Sequence, residues 1–282
     1  MTFSMIDSPE NILAQMDTLC KRILTAAADR KGGRLSGAEL EALTRGGCMY
    51  LTVAPESANM AEAVERAWTE SLERVNSAIR HDRMEEAAAA EALLCLLAMY
   101  HVAYGPTTLP ADCGRAGICD NAAFQLLTTL LNGEHRCSEL MMLTAVELYR
   151  YAAPEDLDEE EIPNYFRTTA ERWDKELPKA EETMMLRLAV LEAGADVFGT
   201  PRAVALPPAK NLTTIESLIS LCHLLSLRGS DTAALREACS ALGQRLDHSP
   251  DRTAAMNASA SLLEALSILY FTAEEDTATL DI

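Results

Sequence analysis

The chain has 282 residues, 49% hydrophobic and 24% charged, a balance typical of a globular protein that excludes a disordered chain. Its 43 acidic residues outnumber the 24 basic ones, and the net charge of −19 disfavours binding to a nucleic-acid backbone. Aromatic residues make up 5% of the chain, so the core must be built from Ala, Leu and Met, which are strong helix formers.

The first residues, MTFSMIDSPEN, lack the basic start and apolar run of a signal peptide. The densest apolar stretch, residues 92–100, is shorter than the ~20 residues that span a bilayer. We therefore expect a cytoplasmic protein without a membrane segment. Its eight cysteines are then expected to be free, buried thiols.

Helix starts are marked repeatedly along the chain. Ser8-Pro9-Glu10 has a capping residue, a proline at the first helical position and an acid in the first turn. Capping boxes are predicted at Ser36 with Glu39 and at Thr213 with Glu216, and Ser249 repeats the first pattern. Helix ends are predicted near residues 105, 154, 199 and 229 from Gly and Pro.

Between these marks the apolar residues follow helical spacing and no alternating strand pattern is found. The sequence thus predicts an all-α fold of about ten or eleven helices in stacked antiparallel hairpins, in an open array. The clearest stripes are Ile12, Met16, Leu19, Ile23; Val64, Trp68, Leu72, Val75, Ile79; Ile162, Phe166, Ala170, Trp173, Leu177; and Leu235, Ala238, Leu242, Leu246.

Two weak likenesses bear on this architecture. Residues 221–250, about a tenth of the chain, resemble one tetratricopeptide unit in their small residues, but the Glu-led apolar runs have no fixed period and no family is assigned. The apolar inner helices also resemble those of α/α-toroid enzymes, which keeps a closed ring as the alternative architecture. Those Glu-led runs begin at Glu91, Glu139, Glu182, Glu216 and Glu264.

Domain organisation is predicted from a proline-containing connector at residues 199–211. It would separate a main helical domain, residues 1–198, from C-terminal helices, residues 212–282, that dock on it. A single domain over residues 1–282 is the alternative.

Cys113 and Cys119 flank the loop CGRAGICD, and His135 and Cys137 follow. Zinc ligands usually come in pairs two to four residues apart, and here the intervals are five residues and one. Gly114 and Gly117 allow a tight loop, and Asp120 can cap the next helix. We therefore predict a loop rather than a metal site.

The adjacent Cys222 and His223 are interpreted as a core cysteine beside a satisfied histidine. Likewise, Cys95 and Cys239 are expected to be buried and unpaired. The motifs of phosphate loops, serine hydrolases and zinc proteases are absent from the sequence. No catalytic residue is assigned, and no metal or cofactor is expected.

The leading functional hypothesis is therefore a helical-hairpin protein that binds a protein or peptide, with a basic partner favoured by the acidic composition. The alternative is an α/α-barrel enzyme that uses carboxylates on a small polar or carbohydrate substrate. Neither nucleic acid nor membrane is expected as a partner, and the sequence predicts no oligomeric state.

Overall fold

The computed structural model describes residues 8–29, 34–83, 143, 146, 161–175, 180–198, 205–229, 231–249 and 251–280. Within these residues 84% of positions are helical and none is in a strand, so the predicted all-α class is confirmed. They form eight α-helices and one short 3-10 turn. The predicted total of ten or eleven helices, and their arrangement as hairpins, remain predictions.

The helices are numbered here in chain order. They are α1 (Pro9–Ala28), α2 (Gly37–Val53), α3 (Ala58–Arg80), α4 (Glu161–Lys175), α5 (Glu181–Phe198), the 3-10 turn η1 (Ala209–Asn211), α6 (Ile215–Arg228), α7 (Thr232–Leu246) and α8 (Arg252–Leu280).

Two predicted helix starts are confirmed. Ser8 caps α1, where its hydroxyl accepts from the Asn11 amide at 3.4 Å. Ser36 and Glu39 form a complete capping box on α2: the Glu39 amide donates to the Ser36 hydroxyl at 3.2 Å, and the Ser36 amide donates to the Glu39 carboxylate at 2.8 Å. Each bond satisfies a backbone N–H that the helix itself cannot pair.

Two other predicted starts are wrong by one or two residues. The cap of α6 is Thr214, whose hydroxyl accepts from the Ser217 amide at 3.2 Å, so the box of Thr213 with Glu216 does not form. At α8 the side chain of Asp251, rather than Ser249, accepts from a first-turn amide, at 2.6 Å. Both sites offer two oxygen-bearing side chains close together, and local sequence does not decide between them.

The predicted end of α6 is confirmed at Gly229, which has a φ of 62°. Its amide donates to the Leu225 carbonyl at 3.1 Å, which closes the last turn. Glycine is favoured at this position because, without a Cβ, it adopts the left-handed conformation at little cost.

The chain divides into two compact units. The first comprises Met1–Glu70, Tyr100–Thr108 and Pro207–Ile282, and the second comprises Ser71–Met99 and Leu109–Leu206. The first unit therefore contains α1, α2, the start of α3, η1 and α6–α8 among the described elements. The predicted division into residues 1–198 and 212–282 stays a prediction.

Helix α8 is the centre of the first unit, since α1, α2, α6 and α7 all pack against it. Its residues from Met256 to Leu263 are buried almost without interruption, apart from the half-buried Asn257. The predicted apolar faces of α1 and α7 are confirmed: all four residues of each stripe are buried. The core of this unit is therefore aliphatic, as the composition predicted.

Small residues allow α2 to lie very close to its neighbours. A Cβ placed on Gly46 would be 3.0 Å from the Cα of Ala260 in α8 and 3.0 Å from the Cδ1 of Ile23 in α1. A Cβ on Gly47 would be 2.9 Å from the sulfur of Met60 in α3. These separations are shorter than ordinary contacts, so the packing of α2 depends on glycine at both positions.

One helix of the described residues, Arg252–Glu274 within α8, is long and apolar enough to cross a membrane by length and composition. The sequence does not predict it, because short polar residues interrupt its apolar run. In the structure 61% of the most apolar 18 residues of this stretch are buried by neighbouring protein. That environment is typical of the central helix of a helical bundle.

In the second unit the described helices α4 and α5 contact each other. Phe166 and Trp173 of the predicted α4 stripe are buried. The guanidinium carbon of Arg187, on α5, lies 5.0 Å from the centroid of the Trp173 ring. This is the geometry of a cation–π contact, which adds to the apolar packing of the pair.

Candidate functional site

A group of interacting ionisable side chains in the first unit lies on α8, where α2 and α6 pack against it. We call Glu41, Arg45, His223 and Glu264 the charged cluster. Arg45 sits in α2 between the buried Thr44 and Gly46, and Glu264 sits in α8 among fully buried leucines and alanines. A charge in such surroundings is stable only if it is paired and hydrogen-bonded.

Arg45 is the hub of the charged cluster. Its Nε donates to a Glu41 carboxylate oxygen at 2.8 Å, one turn earlier on α2. Its Nη1 donates to both the Glu264 carboxylate and the Ser261 hydroxyl on α8, each at 3.1 Å. The Arg45 and Glu264 side chains are only 12% and 15% exposed, so these bonds work with little screening by water.

His223 approaches the same carboxylate from α6. Its Nδ1 lies 3.5 Å from the second Glu264 oxygen, and its side chain is 21% exposed. Glu264 therefore accepts from Arg45 with one oxygen and faces His223 with the other. A single carboxylate on α8 links the two helices that pack on either side of it.

The electrostatics favour an ionised Glu264. Burial on its own would raise the pKa of this carboxyl, but the hydrogen bond and charge of His223, followed by those of Arg45, outweigh burial and lower the pKa to about 2. A carboxyl with so low a pKa holds no proton at neutral pH. It is therefore suited to fixing a cation and unsuited to acting as a general acid.

A second polar junction lies at one end of the same unit. The Glu39 carboxylate, besides its capping bond, accepts from the Thr253 hydroxyl at 3.3 Å and lies 3.1 Å from the Nε of Arg252. The Nη1 of Arg252 donates to the Asp29 carbonyl at 2.6 Å. This junction joins the start of α8 to the start of α2 and the end of α1.

A third polar contact joins α1 to α2. The Tyr50 hydroxyl donates to the Asp17 carboxylate at 2.6 Å, and Cys20 lies beside both. Burial, followed by the charge of Asp17, raises the pKa of the Cys20 thiol to about 11. Burial also raises the pKa of Cys48 to about 12. Neither thiol forms a thiolate near neutral pH, so neither is a reactive nucleophile.

Cys222, His223 and Cys239, whose roles were predicted from the sequence, lie in this unit. Cys222 and Cys239 are fully buried and free, which confirms the predicted burial of both thiols. A hydrogen bond with Cys239 raises the pKa of Cys222, and burial and the nearby charges of Cys239 and Glu264 raise it further. Cys222 is therefore part of the apolar core, whereas His223 takes part in the charged cluster.

The loop residues Cys113, Cys119, His135 and Cys137 lie outside the described residues, as do Cys95 and Asp120. Among the residues that the structure does describe, no group of three or more His, Cys, Asp or Glu side chains is arranged to hold a metal ion. The absence of a metal site at CGRAGICD therefore stays a prediction.

Sequence reasoning missed the charged cluster as a site. In the sequence Glu264 is marked only as the first residue of an apolar run, and no pattern marks Arg45. The available signal was a charged residue in the middle of a helix that is otherwise apolar on nearly every side. Such a residue predicts a partner on a facing helix, although it does not predict which one.

No family model matches the chain, and no curated protein or solved structure is significantly similar to it. The function must therefore be argued from the residues and their geometry.

Proposed function

We propose that this protein is a helical scaffold that binds another protein or peptide, and that its preferred partner is basic. The proposal rests on two features of the first unit. Its buried ionisable residues are engaged in joining helices, and its outer surface carries an excess of acidic side chains.

The charge of the exposed surface is the observation that carries the proposal. In the described part of the first unit, eleven acidic side chains are exposed against five basic ones. The acidic residues are Glu10, Asp29, Glu56, Glu62, Glu65, Glu216, Asp231, Glu237, Asp247, Asp251 and Glu274; the basic residues are Lys21, Arg34, Arg66, Lys210 and Arg245. Such a surface attracts a basic partner and speeds its association.

The alternative enzyme that uses paired carboxylates gains less support from the charged cluster. A general acid needs a carboxyl whose pKa is raised toward neutrality, and the pKa of Glu264 is instead lowered to about 2. Arg45 also binds Glu41 and Glu264 together, which engages both carboxylates in an ion-pair network. These features favour a structural role for the cluster.

The test is a binary binding measurement. The full chain is used to capture a partner from cells, both proteins are purified, and the Kd is measured by calorimetry at about 50 mM and about 300 mM salt. We expect the Kd to rise at least ~10-fold at the higher salt, because the attraction between opposite charges is screened.

Two pairs of charge-neutralising substitutions show which surface charges contribute to binding. Glu62→Gln with Glu65→Gln removes two exposed acids from α3 and is expected to weaken binding, whereas Lys21→Gln with Lys210→Gln removes two exposed bases and is not. The proposal fails if no binary complex forms, if its Kd is independent of salt, or if only the second pair of changes weakens it.

A further inference from the structure

Phe271, near the end of α8, is the one large apolar side chain among the described residues that is exposed, with 44% of its surface open to solvent. Its ring packs against that of Tyr270 in a T-shaped arrangement, with the centroids 5.6 Å apart and the planes at 86°. We call Tyr270 and Phe271 the aromatic pair. Ile268, three residues before Phe271 and therefore beside it on the helix surface, is half-buried and extends the apolar surface.

Exposed carboxylates from two helices lie beside the aromatic pair. A hydrogen bond from the Tyr270 hydroxyl to Glu274, followed by burial and by the charges of Glu274 and Glu10, raises the pKa of Tyr270. Glu10 belongs to the first turn of α1, so the start of α1 lies near the end of α8. A hydrogen bond from its own backbone amide, followed by one from Ser8, lowers the pKa of Glu10, which is therefore ionised at neutral pH.

Three segments of the chain meet at this end of the first unit. Besides α1 and α8, the last turns of α2 lie here, since the Ser267 hydroxyl is 3.9 Å from the Met49 sulfur. Residues 1–20, 46–65 and 253–282 contain three, three and five acids, and none of these segments contains Lys, Arg or His. The sequence therefore places charge of one sign around an exposed aromatic surface.

This charge selects among the occupants that an exposed aromatic surface can have. A second copy of the chain would bring the same acids against it, and an anionic membrane would be repelled for the same reason. A basic segment is attracted instead. An arginine of such a segment can stack on an aromatic ring and also donate hydrogen bonds to a carboxylate beside it.

We infer that the aromatic pair at the end of α8 is the contact surface for a basic amphipathic segment of a partner protein, whose apolar side chains cover Phe271 while its Lys or Arg side chains pair with Glu10 and Glu274. The inference rests on the proposed function, to which it adds the place of binding and the kind of segment bound.

The test uses a defined probe on the full chain. A fluorescein-labelled peptide of about 18 residues carries Arg and Leu at helical spacing, and its Kd is measured by fluorescence anisotropy. Phe271→Ser removes the exposed ring and no charge, and we expect it to raise the Kd at least ~10-fold at an unchanged Tm. A peptide with Gln in place of every Arg should bind the wild type at least ~10-fold more weakly.

Two double variants that remove equal charge show which acids contribute. Glu10→Gln with Glu274→Gln neutralises the carboxylates beside the aromatic pair. Asp29→Asn with Asp251→Asn neutralises two exposed acids at the opposite ends of α1 and α8, where Asn can still cap α8. We expect the first pair to raise the Kd at least ~3-fold more than the second. The inference is overturned if the wild type does not bind the peptide, if Phe271→Ser binds it equally well, or if the two pairs weaken binding equally.

These outcomes are separable from those of the proposed function. A cellular partner that binds the wild type and Phe271→Ser with the same Kd would overturn this contact surface and leave the proposed function standing. Peptide binding that depends on Phe271, without any binary partner, would do the reverse. A wild-type dimer that Phe271→Ser converts to a monomer in sedimentation would show that the surface binds a second copy, which also overturns the inference.

Discussion

Replacing Arg45 with methionine is expected to destabilise the first unit by about 3–5 kcal/mol. The change removes the bonds that Arg45 donates to Glu41, Glu264 and Ser261. Methionine retains most of the apolar stem of the side chain, so little of the loss comes from an empty cavity. The main cost is that the 15%-exposed Glu264 carboxylate loses its closest cation.

A double variant tests whether the cost comes from the unpaired Glu264 carboxylate. In Arg45→Met with Glu264→Leu both buried charges are absent, and no carboxylate is left unpaired at the centre of α8. We expect this double variant to be more stable than Arg45→Met by about 1–3 kcal/mol, because apolar residues can replace a buried ion pair at little cost.

The assay uses the chain's own fluorescence. It has two tryptophans, Trp68 in the first unit and Trp173 in the second. In a Trp173→Phe background the buried Trp68 is the single tryptophan and reports unfolding of the first unit. Urea unfolding curves of each variant in this background give the free energies of unfolding.

Arg245→Met is the control, because Arg245 is exposed on α7. It should change the free energy of unfolding by no more than about 0.5 kcal/mol. The reasoning is refuted if Arg45→Met costs no more than this control, or if adding Glu264→Leu makes the variant less stable still.

Three further outcomes are expected. Because the pKa of Glu264 is lowered from 4.5 to about 2, its ionised form stabilises the folded state above pH 4.5, and this stabilisation is lost as the pH falls toward 2. At about 1.4 kcal/mol per pH unit the loss is about 3 kcal/mol, and urea unfolding should show it in the wild type and not in Glu264→Gln. Gly46→Ala should destabilise the protein by about 1–2 kcal/mol, since overpacking against Ala260 costs more than the ~1 kcal/mol that alanine contributes to a helix; a variant as stable as the wild type in thermal melts would contradict the close packing of α2 and α8. Cys222 and Cys239 should resist alkylation in the folded protein and react fully after denaturation without reductant, and mass spectrometry that finds a protected pair would contradict free thiols.

Much of the local structure of the first unit could be predicted from sequence because it is set by neighbours along the chain. The stripe of Ile12, Met16, Leu19 and Ile23 recurs at helical spacing, and all four residues are buried. The box at Ser36 needs only the residue three positions later. Where two suitable caps stand together, as at Thr213 and Thr214, the choice depends on how the chain enters the helix from the rest of the fold, which no local pattern contains.

The charged cluster could not be predicted in the same way. Arg45 and Glu264 are 219 residues apart, and their pairing follows from the packing of α2 on α8. Helical periodicity states which face of each helix is buried, but it does not state which helices meet or in what register. The sequence therefore indicated a charge within an apolar helix, and the fold supplied its partner.

Hydrogen exchange of the Glu264→Gln variant tests most directly whether the charged cluster holds α2, α6 and α8 together. Because Glu264 links Arg45 on α2 to His223 on α6, neutralising it should accelerate amide exchange in all three helices, with α4 and α5 unchanged as the internal reference. Faster exchange confined to α8, or no change in any of the three helices, would contradict the account.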